Sequence, residues 1–297
     1  MRKLLFLSPM IFTLVLLLVF YGIIIPSNGY GQRVSLSLSK NGFYPFQNSL
    51  YRSQYTPPFT PGSYTSTASQ DLMLDAERTS GTSFGIAVSV TGRWSVLFQV
   101  DWATSALSSL NEPYAFSLDY VSTYPSHMPP RNVHIARSFD WPETTGDLKH
   151  LSFSLNALAR FRIIQGLNLE LSGGLTYFAL KGETSSLGFS DFWLGGHDAL
   201  FSSHYQLKFC FGPRGTLGGN LGLGIEMPMI RHIFIFAGVH LFLAPKIRII
   251  PTLDEILNRK EILLIRTISE IESFMNLQPL ELNPGRIQLH LGIRLRI

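Results

Sequence analysis

The last eleven residues alternate one for one, and that period limits what the chain can fold into. Ile287, Leu289, Leu291, Ile293, Leu295 and Ile297 are apolar, while Gln288, His290, Gly292, Arg294 and Arg296 occupy the positions between. A β-strand points successive side chains to opposite faces, so the segment has one apolar side and one polar side. Unbroken aliphatics on one face and arginines on the other suit a strand with hydrocarbon outside and a polar interior.

Seven further segments carry the same signal. They are 34–39, 82–91, 93–102, 150–163, 167–181, 217–227 (with a possible extension back to Tyr205, interrupted at Gly212-Pro213) and 232–248. The Thr91-Gly92 and Gln165-Gly166 pairs and the stretch Pro228–Arg231 read as tight turns. Tight turns alternate with long connections at 40–81, 103–149, 182–204 and 249–285. Outer-membrane barrels have short periplasmic turns and long extracellular loops, which fixes the side on which each connection is expected. A soluble lipocalin-type barrel would reverse the two faces. Trp94 and Trp102 favour the membrane arrangement. Eight residues at ~3.3 Å, tilted by about 40°, rise about 20 Å, close to the ~25 Å apolar band that two aromatic girdles bracket.

Glycine-rich stretches at Gly173–Tyr177 and Leu217–Gly224 complete the pattern. With them the chain resembles the small eight-stranded outer-membrane barrels, the family of the outer membrane protein A transmembrane domain and similar porin-family barrels. The resemblance implies an all-β fold, an eight-stranded antiparallel transmembrane β-barrel with long extracellular loops. It also implies a location in the bacterial outer membrane, contact with outer-membrane lipid and no cofactor.

The N-terminus agrees with export. Arg2 and Lys3 precede an uncharged, largely apolar run from Leu4 to Pro26, and small residues follow at 27–31. This is the form of a signal peptide over residues 1–31, leaving 32–297 as the barrel. Without Arg2 and Lys3 the formal charge falls from +4 to +2, too small an excess to argue for nucleic acid. The single cysteine, Cys210, excludes an internal disulfide framework.

Eight strands leave an interior just wide enough for side chains to fill. By parity, Arg160, Arg162, Glu170, Glu226, Arg294 and Arg296 point inward in the periplasmic half, and they are expected to form an ion-paired plug. The first two long loops are rich in aromatics. Tyr51, Tyr55, Tyr64, Tyr120 and Trp141 are candidates for a recognition surface, because rigid aromatics supply contact area at low entropic cost. The last loop carries apolar residues at helical spacing behind Thr252 and Glu255, which predicts an amphipathic helix over about 253–276.

Catalytic signatures are missing: there is no G-x-S-x-G, P-loop or H-E-x-x-H sequence. His197, Asp198 and His204 are metal-ligand types scattered on one loop, and His150 with Ser152 points inward by parity, away from lipid. The expected protein is a non-enzymatic barrel acting through its surface loops as an anchor, adhesion or docking component toward envelope or secretion proteins. A narrow passive pore for small or hydrophobic solutes is the alternative.

Overall fold

The computed structural model describes residues 34–45, 49–55, 59–60, 65–66, 70–76, 78–108, 114–122, 128–139, 145–194, 200–260, 267–275 and 279–297. Eight of its strands close into a ring: β1 (Val34–Pro45), β2 (Thr79–Ser89), β3 (Trp94–Ser108), β4 (Thr145–Ile164), β5 (Leu167–Leu194), β6 (Leu200–Ile230), β7 (Ile233–Leu243) and β8 (Arg286–Arg296). Each pairs antiparallel with its chain neighbours, and β1 pairs with β8 to close the cylinder. The row of paired residues that leaves β3 at Ala103 passes through Gly81, Asn41, His290, Gly238, Gly224, Glu170 and Arg160. The Arg160 amide then donates to the Arg93 carbonyl at the foot of β3, ten residues below the start. That stagger over eight strands corresponds to a tilt of about 40°.

The period-two pattern sets the two faces. Ser39, Asn41, Ser83, Asp101, Ser152, Ser154, Thr176 and Gln288 are buried in the lumen. Their outward neighbours are apolar and uncovered, as the 68% exposure of Leu175 and 61% of Leu291 illustrate. In water so continuous an apolar exterior would be an aggregation surface. In hydrocarbon it is the solvated face, and every backbone polar group is satisfied within the closed ring. Three tight turns lie at one end, together with Val34 and Ile297, whose amide donates to the Val34 carbonyl at 2.8 Å.

At the other end the long connections carry regular structure of their own. Much of 40–81, 103–149, 182–204 and 249–285 is β-structure. β1 continues to Pro45, and β5 and β6 grow to 28 and 31 residues, running far past the apolar belt and through the Gly212-Pro213 interruption. Strand 49–55 pairs with 70–76, and 114–122 pairs with 131–139. Most of these segments lack an unbroken aliphatic face, so the lipid-facing signature does not mark them; the β6 extension instead alternates Tyr205, Leu207, Phe209 and Phe211, all buried, and the possible extension back to Tyr205 is part of β6.

The helix expected over 253–276 is corrected as well. Residues Thr252–Lys260 form a strand along the upper part of β6. The helix α1 spans Ile268–Met275. Its capping box lies at Thr267 and Glu270: the Thr267 amide donates to the Glu270 carboxylate at 2.7 Å, and the Glu270 amide to the Thr267 hydroxyl at 3.3 Å. Thr252 and Glu255 share the spacing but lie on a paired strand, where sheet bonds satisfy the backbone. The signal-peptide reading concerns residues 1–31, which lie outside the described residues.

Above the barrel mouth sits a second core. Leu107, Leu148 and Leu180 at the upper parts of β3, β4 and β5 pack with Tyr205, Leu207, Phe209 and Phe211 of β6. Ile247, Ile249, Leu280 and Leu282 join from a short strand pair, with Leu253 and the fully buried Ile271 of α1. The apolar stripe of the helix is therefore spent on this chain's own cap, which seats on the tops of the strands.

Candidate functional site

From the tight-turn end upward, the lumen is filled in layers. Small inward residues make the room: Ser95 lies against the Arg160 guanidinium, and Gly222 leaves the space that the His240 ring fills. In the lowest layer Glu226 accepts from Arg294 and Arg296, and Arg294 also donates to Glu170. Arg160 Nε donates to the same Glu170 oxygen at 2.9 Å, and its Nη1 to the Ser95 hydroxyl at 3.1 Å. Asn168 donates to Glu226 at 3.3 Å. The two β8 guanidinium groups lie over aromatic rings, Arg296 at 3.9 Å from the Phe234 centroid and Arg294 at 4.8 Å from that of Phe236. The Glu226 side chain is 0% exposed and that of Arg294 4%. Five of the six expected charges thus meet in one buried cluster.

Arg162 does not join them. It is exposed at the foot of β4, where Ile163 and Ile164 are exposed too and the alternation has stopped. Arg93, also inward by parity, is exposed in the turn before β3.

The middle layer is aromatic. His240 and His290 meet edge to face with centroids 4.7 Å apart, and His290 lies 5.5 Å from Phe236. Ser172 reaches His240 at 3.4 Å. A cavity of about 30 Å³ opens beside them, lined by Ser37, Gly85, Gln99, Leu158 and Arg294 among others, enough for about one water molecule.

The upper layer centres on Asp101, which is 1% exposed. It accepts from Ser83, from Gln99 at 2.6 Å, from Gln288 at 3.2 Å and from Ser152 at 3.0 Å. Its counter-charge is Arg286, 3.8 Å away, which also donates to the Ser152 hydroxyl at 2.8 Å. The Arg286 guanidinium is enclosed by Phe43, Phe178 and Phe242, at 4.6, 5.5 and 4.7 Å from their centroids. The sequence-based site omits this pair because Arg286 directly follows the loop segment Asn283-Pro284-Gly285. Extending the β8 alternation by one step, from Gln288 back to Arg286, would have found it. Ser152 is committed to this cluster, while His150 faces the Ser105 hydroxyl at 3.3 Å. A second cavity of about 20 Å³, lined by Phe43, Ser105, His150 and Arg286, lies directly under the cap.

On the outer face Trp94 and Trp102 point away from the lumen, 53% and 46% exposed, near the two ends of the apolar belt. Tyr51, Tyr55 and Tyr120 fall on strands of the outer superstructure, and their side chains lie outside the described residues, as do Tyr64 and Trp141 entirely. His197 and Asp198 lie outside them too, as does the His204 side chain; among the described residues there is no cluster of three or more metal-ligand types.

Beyond the belt the charges are mixed. Glu183 binds Lys149 at 2.9 Å and faces Lys208 at 3.9 Å, which holds its carboxyl below the usual range; the same bond raises Lys149. Lys208 also faces Asp254 at 3.8 Å. Cys210 donates to Asp254 at 3.6 Å, and partial burial, then the Asp254 charge, push its thiol above the ordinary value. The thiolate fraction at neutral pH is correspondingly small. Iodoacetamide should therefore modify Cys210 with a rate–pH profile displaced to higher pH than that of an unperturbed thiol. Asp254→Asn removes one raising charge and should move the profile down and speed alkylation at about pH 7.5; an unchanged or slower rate would contradict the assignment.

A closed antiparallel cylinder with an apolar exterior, a charged interior and tight turns at one end is a small eight-stranded β-barrel whose outer face has the chemistry of a lipid-facing surface. Solved structures similar to this one include the outer membrane protein OprG from Pseudomonas aeruginosa (9% identity, 90% of this chain and 96% of that one, TM-score 0.43). A major outer membrane protein from Thermus thermophilus matches at 11% identity over 89% and 99% of the two chains, TM-score 0.41. Ail, the attachment invasion locus protein of Yersinia pestis, matches at 11% identity over 90% and 99%, TM-score 0.34. No family model and no curated protein matches the sequence.

Proposed function

We propose that this barrel is a non-enzymatic, non-conducting anchor that holds a folded extracellular superstructure at the cell surface for adhesion or for docking of envelope or secretion components. The observation that carries the reading is the blocked lumen. The Glu170/Glu226/Arg294 layer, the His240–His290 layer and the Asp101–Arg286 layer succeed one another along the axis, and the apolar cap lies on top. A solute path would have to break buried charge pairs in two of these layers. The two cavities, about 30 and 20 Å³, hold water-sized volumes and no more. The polar groups that could do chemistry, Ser152 and His150 among them, are engaged inside this packing. What remains free to act is the superstructure raised by β5 and β6 and by the pairs 49–55/70–76 and 114–122/131–139. Trp94 and Trp102 would set the depth at which it is held.

Planar-bilayer recording of the purified protein tests this directly. The expected record is a quiet baseline at all voltages, with liposomes that do not swell in small sugars. Stable single-channel steps of porin size would overturn the anchor reading in favour of a pore.

A further inference from the structure

The three tight turns share a feature that the closed lumen does not use. Each carries one exposed arginine: Arg93 between β2 and β3, Arg162 before the β4–β5 turn, and Arg231 between β6 and β7. No guanidinium of the three has an ion-pair partner among the described residues. Nor is any side-chain carboxylate exposed among the described residues of this rim, since Glu170 and Glu226 are consumed within the barrel. The opposite end is different: there lysines alternate with Glu183, Asp254 and Glu281 and pair with them.

Two of the three arginines stand beside exposed aliphatics. Ile163 and Ile164 follow Arg162, and Ile230 precedes Arg231, all more than half exposed. A turn bathed in water has no reason to show consecutive large aliphatics beside an unpaired cation. A turn lying at the boundary between acyl chains and headgroups does: the aliphatics stay in hydrocarbon, and the arginine extends its stem through it to place the guanidinium among phosphates. An acidic protein or a glycan would match the charge and leave the isoleucines in water.

We infer that the tight-turn rim is a binding surface for the phosphate headgroups of anionic phospholipids in the leaflet it faces. Arg93, Arg162 and Arg231 each supply a planar donor fork that fits a phosphodiester oxygen pair. The inference rests on the membrane-barrel assignment and adds a lipid preference to it.

The test uses the full protein in phosphatidylcholine bilayers carrying a trace of spin-labelled lipid, either phosphatidylglycerol or phosphatidylcholine. Electron paramagnetic resonance reads the fraction of label that is motionally restricted at the protein surface. The wild type should restrict the phosphatidylglycerol label at least about twofold more strongly than the phosphatidylcholine label, a preference that shrinks in high salt. R93Q/R162Q/R231Q should bring the ratio close to one, whereas K149Q/K181Q, at the other end, should leave it unchanged. Each single Arg→Gln change should lower the ratio part of the way, and R93K/R162K/R231K should keep most of it, so the result does not depend on the triple variant inserting well. A wild type without preference, a triple glutamine variant that keeps it, or a preference lost only in the lysine variant would each overturn the inference. Absence of any restricted lipid would instead count against the membrane-barrel assignment.

Discussion

Glu226→Ala is expected to lower the stability of the folded barrel by about 3 kcal/mol, the lower end of the range for breaking a buried ion pair, because it leaves the part-buried Arg296 guanidinium without a carboxylate and Arg294 with one of its two. Glu226 is fully buried and accepts from both Arg294 and Arg296. Without it Arg294 keeps Glu170, but Arg296 has no remaining carboxylate among its described contacts. Part of the loss should be recovered by removing that cation. Glu226→Ala with Arg296→Leu is expected to be less destabilised than the sum of the two single changes, since the coupling in a hydrogen-bonded network is not additive. Urea unfolding in lipid, followed by tryptophan fluorescence, measures all three proteins. A Glu226→Ala barrel within about 1 kcal/mol of wild type would mean that the layer is hydrated and not a dry plug.

The second large effect belongs to the outside. Phe98 projects outward from β3 midway between Trp94 and Trp102, near the bilayer midplane. Phe98→Arg should cost about 2–4 kcal/mol in a bilayer, the penalty for a cation on the lipid face at that depth. Phe98→Leu, which changes volume and not charge, should cost less than about 1.5 kcal/mol. Gln99→Arg puts the same charge one residue away, on the lumen side, where Gln99 already donates to Asp101 at 2.6 Å. There the carboxylate compensates the charge, leaving the cost of fitting a longer side chain. Equal losses for Phe98→Arg and Gln99→Arg would mean that hydrocarbon does not bathe the Phe98 side.

These contrasts were readable in the sequence wherever aliphatics mark one face. In β8 the alternation separates Ile287 through Ile297 from Arg294 and Arg296, the Trp94/Trp102 spacing on β3 selects the aliphatic side as the outer one, and Glu170 and Glu226 follow by the same parity on β5 and β6. Parity fails where the strand leaves the wall. Arg162 has inward parity, yet the lumen ends just above it, and the adjacent Ile163-Ile164 pair signals the break. Above the apolar belt both strand faces meet water or protein, and the aliphatic stripe ends. The extension of β5 then looks like a loop, whereas that of β6 keeps an apolar alternation at Tyr205, Leu207, Phe209 and Phe211 that faces the cap. The Thr252/Glu255 spacing misled for a related reason, since a two-residue coincidence carries no information about whether the following backbone is paired. Parity extended to Arg286 gives the inward direction of Asp101 and of Arg286, but their pairing across the β1–β8 closure is set by the ring and not by either strand's own pattern.

Most of the arginines for the two charged layers arrive on one strand. Arg286, Arg294 and Arg296 all belong to β8, whereas Asp101, Glu170 and Glu226 sit on β3, β5 and β6. A curled sheet awaiting its final strand would hold Asp101 without Arg286 and Glu226 without either of its arginines, and would also carry two open edges. Closure of the seam and neutralisation of these carboxylates are therefore a single event. A half-assembled cylinder of this sequence has little electrostatic reason to persist, so insertion should show an all-or-none character set by delivery of the C-terminal strand.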